Sequence, residues 1–89
     1  MPTIAWFYGI SIQMFFNDHN PPHFHARYGR ATALVGIADG KVIVGDLPPI
    51  AERLVREWTL AHRAELEDNW MRARAMRPLE KIAGPDGQG

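Results

Sequence analysis

Eighty-nine residues make one domain and are too few for two. The chain is 46% apolar, has no cysteine, and carries ten basic against ten acidic side chains, which excludes global disorder, a disulfide framework, a thiolate metal site and adhesion to nucleic acid through bulk charge. No apolar run approaches the roughly 18 residues of a membrane span, and the opening Met-Pro-Thr-Ile-Ala-Trp-Phe-Tyr lacks the basic region of a signal peptide, so the expected setting is a reducing cytoplasm. A net charge of zero favours self-association or a protein partner.

The pattern changes at Asp46. Before it apolar residues alternate with a period of two; after it they recur every 3.6 residues. Residues 4–8 read as a short strand and 10–16 as a longer one, with Ile10, Ile12, Met14 and Phe16 on one face and Ser11 and Gln13 on the other. Residues 17–22 are a turn, because Asn, Asp, Asn and paired prolines cannot continue a ladder. Residues 23–28 alternate again, with His23, His25 and Arg27 on one face and Phe24, Ala26 and Tyr28 on the other; Phe24 and Tyr28 compete best for the covered side. A turn at Tyr28-Gly29-Arg30, a strand over 31–38, an Asp39-Gly40 hairpin and a return strand over 41–45 complete the sheet. Short linkers make it an antiparallel meander of four or five strands.

Asp46-Leu47-Pro48-Pro49 opens a helix, since proline is tolerated in the first turn. The periodicity predicts one long helix over 48–76, stopped by Arg77-Pro78. Its apolar stripe is Ala51, Leu54, Val55, Trp58, Leu66, Ala73 and Met76, and it must cover the sheet. His62, Glu65 and Asn69 fall in the same stripe and therefore need polar partners. Arg53–Glu57, Arg63–Glu67 and Asp68–Arg72 have ion-pair spacing. The expected organisation is one α+β domain over 1–78 with a flexible tail over 79–89.

The chemistry concentrates in Asp18-His19-Asn20-Pro21-Pro22-His23-Phe24-His25. Imidazole is the commonest metal ligand, and histidines at i and i+2 on a strand can share an ion. His19, His23 and His25 are thus candidate ligands for zinc or another divalent transition metal, with Asp18 as ligand or orienting group and His62 as a further nitrogen. The competing reading has Asp18 and Asn20 capping the turn and the histidines stacked on Phe and Tyr rings. A second chemical reading takes His23, His25 and Arg27 as candidate catalytic groups, with Arg27 and Arg30 as contacts to a phosphate or a partner; histidine acid–base chemistry plus arginine suffices for metal-free RNA cleavage, or merely for gripping a phosphate. The aromatic residues Trp6, Phe7, Tyr8, Phe15 and Phe16 read as core first and as a partner surface second.

The segments Phe-Tyr-Gly-Ile at 7–10, Phe-Phe-Asn-Asp-His-Asn-Pro-Pro-His-Phe-His-Ala-Arg-Tyr-Gly at 15–29 and Leu-Pro-Pro at 47–49, with Glu-Trp and Asn-Trp in the helix, resemble together a family of small bacterial proteins, domain of unknown function 4160. The resemblance spans residues 1–80. It implies a gene-pair setting like that of toxin–antitoxin modules, and it marks Asp18, His19, Pro21, Pro22, His23, His25, Arg27, Trp58, His62 and Trp70; it brings no activity with it. The expected function is a small binding module with a histidine-rich site, one component of such a pair, binding a small protein encoded nearby or a second copy of itself. The alternative is a metal-dependent or histidine-based enzyme acting on RNA or another phosphoester.

Overall fold

The structure is a computed structural model and describes residues 2–85. Five strands, β1 (Thr3–Phe7), β2 (Ile10–Gln13), β3 (His23–Tyr28), β4 (Ala31–Gly36) and β5 (Val42–Gly45), form one antiparallel sheet in sequential order. This is the expected meander. Its turns follow residue chemistry: Tyr8 and Gly9 both take positive φ between β1 and β2, as a tight two-residue hairpin requires. Gly40, in the β4–β5 turn, has φ +70° and lies so close to Arg56 that a Cβ there would make a tight contact of 3.0 Å with its Cα.

Two helices follow, α1 (Pro49–Ala61) and α2 (Arg63–Arg74). Pro48 and Pro49 mark the start as expected, but the single long helix does not form. His62 leaves helical geometry at φ −119° and ψ 25°, and its amide is shared between the carbonyls of Trp58 and Thr59. The break shortens the molecule. A straight helix over 48–76 would run about 43 Å, against a greatest molecular extent of 33 Å. Locally, the Thr59 hydroxyl donates to the Val55 carbonyl at 2.7 Å, a back-bond that bends helices.

The core lies between the helices and one sheet face. Phe7, Ile10, Ile12, Phe24, Ala26, Val35 and Ile37 come from the sheet side, and Ala51, Val55, Trp58, Leu66 and Ala73 from the helices. Alternation in β3 thus resolves as expected for Phe24, which is fully covered, while Tyr28 stays largely exposed at the sheet margin. Trp58 packs on Phe7 at 5.0 Å between ring centroids and meets Phe24 edge-on at 5.9 Å.

Other expectations need correction. The strand expected over 10–16 ends at Gln13; Phe16 is exposed instead of sharing the face of Ile12 and Met14. Met76 lies past the end of α2 with φ +57°, and it is exposed. Of the three helical ion pairs, Asp68–Arg72 forms at 2.8 Å, whereas Arg63 donates to the Ala38 carbonyl at 3.0 Å. The polar stripe residues do find partners, though not on the sheet. Asn69 exchanges two hydrogen bonds of 2.9 Å with the backbone of Glu80, and His62 pairs with Glu65 at 2.6 Å.

Residues 79–85, expected as part of a flexible tail, pack onto the domain. Ile82 is 1% exposed, its amide donates to the Ile4 carbonyl at 2.8 Å, and the Trp58 indole donates to the Ala83 carbonyl at 2.9 Å. This segment occupies the outer edge of β1. The outer edge of β5 has no strand beside it among the described residues, and Ile43 and Val44 there are exposed. Residues 86–89 of the expected tail lie outside the described residues.

Candidate metal centre

The turn between β2 and β3 is fixed at both ends by backbone hydrogen bonds. Asn17, in a left-handed conformation at φ +54°, donates to the Ala73 carbonyl in the last turn of α2 at 3.0 Å, which satisfies one of the helix's terminal acceptors. The Pro22 carbonyl accepts from Ile37 at 3.1 Å, beyond the end of β4. The Asn20–Pro21 peptide is cis. The turn folds Asp18 back over the start of β3.

There Asp18 meets both strand histidines. Its Oδ2 lies 2.9 Å from His23 Nε2 and 3.7 Å from His25 Nε2, and one ligand atom from each of the three side chains falls within 4.8 Å of the others. Two ligands on one tetrahedral zinc-type ion, with bonds near 2.0–2.1 Å, stand about 3.3 Å apart. The two spacings to Asp18 bracket that value.

His23 is 4% exposed because α2 reaches this end of β3 and lays Trp70 against its ring, centroids 5.3 Å apart. Its Nδ1 lies 2.8 Å from the Pro21 carbonyl. A carbonyl only accepts, so Nδ1 carries the hydrogen and Nε2 is the atom turned toward Asp18. Between Nε2 and a carboxylate there must be a proton or a cation. This is the orientation that a ligating histidine takes when a backbone carbonyl holds its other nitrogen.

His25 is stacked on Phe15 with centroids 4.0 Å apart. Its Nε2 is buried and has no hydrogen-bond partner among the described residues, since Asp18 at 3.7 Å is too far. A buried ring nitrogen without a partner is costly unless something occupies the space it faces. His19 takes a peripheral place. Its side chain is 94% exposed, its Nδ1 lies 3.2 Å from Asp18 Oδ1, and its amide donates to the same oxygen at 2.9 Å.

The remaining candidates lie elsewhere. His62 is held by Glu65 and packs on Trp58 at 5.5 Å, and it does not belong to the Asp18–His23–His25 cluster. Arg27 shares the His25 face of β3 and is exposed. Arg30 lines a separate hollow with Thr32, Asp46 and Glu52. Three contributors stand outside the expected ligand set: Phe15, a ring of the kind the competing reading stacks on a histidine; Trp70, marked by the resemblance alone; and the turn residue Asn17. The aromatic residues beside the histidines were visible, but their destination depends on the kink at His62 and the early end of β2.

Burial raises the Asp18 carboxyl, but the His19 amide and the nearby His23 and His19 rings outweigh it, leaving Asp18 below its ordinary value. Burial, reinforced by neighbouring His23, holds His25 below the ordinary histidine value, partly offset by Asp18. Folding therefore favours the neutral His25 ring. That contribution is complete above about pH 6.5 and is lost as pH falls toward the folded-state value, because the unfolded chain takes up the proton first. Asp18 acts in the same sense at lower pH. The metal-free protein should lose stability to urea between about pH 7 and about pH 5, and His25→Gln should flatten this dependence. Equal slopes in the two proteins would assign the effect to other groups.

The fold and the cluster define a small α+β domain with two histidines and a carboxylate converging at one end of β3. A family model described as Domain of unknown function (DUF4160) matches residues 9–71, and the chain belongs to that family. Comparison with curated proteins and with solved structures found no match.

Proposed function

We propose that the domain is a cytoplasmic metal-binding module in which Asp18, His23 and His25 hold one divalent transition ion, with zinc the ion best suited to this donor set. The observation that carries the reading is the buried, unpartnered Nε2 of His25 facing the Asp18 carboxylate beside His23 Nε2. Two imidazoles and one carboxylate suit zinc or iron(II), and three protein ligands leave further coordination positions open. His19, tethered to Asp18 and otherwise in solvent, can swing in as a fourth ligand. We further propose that the module works with a small protein encoded nearby, as one component of a toxin–antitoxin-like pair. The open β5 edge with exposed Ile43 and Val44, and the zero net charge, support a protein partner.

Elemental analysis tests the metal reading. Protein prepared without a histidine tag and dialysed against zinc should retain one ion per chain, and His25→Gln should retain none while keeping its circular dichroism. Zinc absent from the parent protein, or held equally by the variant, overturns it.

A further inference from the structure

We propose that the ion at Asp18, His23 and His25 and the guanidinium of Arg27 together form a binding site for a phosphoryl group, an inference that rests on the metal reading above. The placement comes from β3. His25 and Arg27 stand two residues apart on one face, about 6.6 Å along the strand. α2 covers this face at His23, where Trp70 packs on the ring, and the face opens along β3 from half-buried His25 to exposed Arg27. Across the ladder, Gln13 and Leu34 stand opposite His25, and Ser11 and Thr32 stand opposite Arg27. Of these, Thr32 is exposed and Gln13 half-buried, so the strip beside the ion offers one hydroxyl and one amide, while Ser11 is buried and Leu34 is apolar. Asp46, whose amide donates to Thr32, lies at the far end of this strip near β5.

Arg27 is not committed elsewhere. Its one hydrogen bond among the described residues is a 3.4 Å contact from Nε to the Gly29 carbonyl, and it forms no ion pair among them. Asp18 is engaged by His19 and His23 and neutralises only part of a divalent charge. The ion and Arg27 therefore make a net positive centre that an anion complements. Geometry selects among anions. A planar guanidinium binds two oxygens side by side, and an ion beside it needs a third. A phosphoryl group has that third oxygen; a carboxylate does not.

Cobalt(II) in place of zinc gives a visible spectrum that reports on its ligands. Inorganic phosphate added to the cobalt-loaded protein should change this spectrum saturably, and acetate should do so far more weakly. Arg27→Ala should weaken phosphate binding about tenfold or more, while cobalt stoichiometry and the phosphate-free spectrum stay the same. Arg27→Lys, which keeps the charge but loses the fork, should fall between. Displacement of phosphate by a short oligouridylate would identify RNA as the source of the phosphoryl group; failure to displace it would identify a small phosphate compound. Stoichiometric cobalt with no phosphate response, equal affinity for acetate, or full affinity in Arg27→Ala overturns this proposal and leaves the metal reading standing. Failure to bind cobalt overturns both.

Discussion

Trp58→Ala is expected to destabilise the domain by about 3–5 kcal/mol, out of a total near 5–8 kcal/mol for a chain of this size. Trp58 is 3% exposed and joins three parts of the molecule. Its ring packs on Phe7 and Phe24 of the sheet, it touches His62 at the helix break, and its indole nitrogen holds Ala83. Truncation opens a cavity in the centre of the core and also leaves the Ala83 carbonyl without its donor. Urea unfolding followed by the fluorescence of the remaining tryptophans measures the loss. Trp58→Phe, which keeps a ring but no donor, should cost less. Arg53→Ala, at an exposed position of α1, should change stability by no more than about 0.5 kcal/mol. Comparable losses for Trp58→Ala and Arg53→Ala would contradict the packing described.

Zinc is expected to raise thermal stability by a large increment. At a free concentration one thousand times the dissociation constant, a ligand confined to the native state adds about 4 kcal/mol. For a domain of this length that corresponds to roughly 16–30 °C in Tm. Asp18→Ala should abolish most of the shift, because it removes the carboxylate that the two ring nitrogens face. His62→Ala should keep it, since His62 is engaged with Glu65 away from the cluster. Calorimetry with and without zinc decides: equal shifts in parent and Asp18→Ala would mean that zinc binds elsewhere.

The sequence carried the sheet because its signals are local. Alternation separates Phe24 from His25, the Tyr28-Gly29-Arg30 and Asp39-Gly40 turns punctuate the meander, and the prolines at 48 and 49 open α1. The cluster was equally visible as a block, since Asp18, His23 and His25 lie within eight residues of each other. What was not legible depends on distant chain. The apolar stripe runs through His62 without losing phase, so periodicity alone cannot reveal the break there. With the helix bent, Trp70 reaches His23, and a histidine on the expected polar face of β3 becomes buried. Asn69 looked like a stripe residue seeking company on the sheet; its partner is the Glu80 backbone, in a segment whose glycine and proline content suggested a tail. His62, read as a further ligand from helical phase, is placed by that same phase against Trp58 and Glu65.

The segment that returns along β1 also governs how the sheet can grow. A sheet with two open edges can add strands at both and propagate as a fibre. Here Ile82 takes the Ile4 carbonyl at one margin, while β5 at the other has no neighbour among the described residues. Two copies joined through β5 about a twofold axis would consume both open margins at once. Were copies to join strand to strand through β5, the association would close at a pair instead of extending as a polymer.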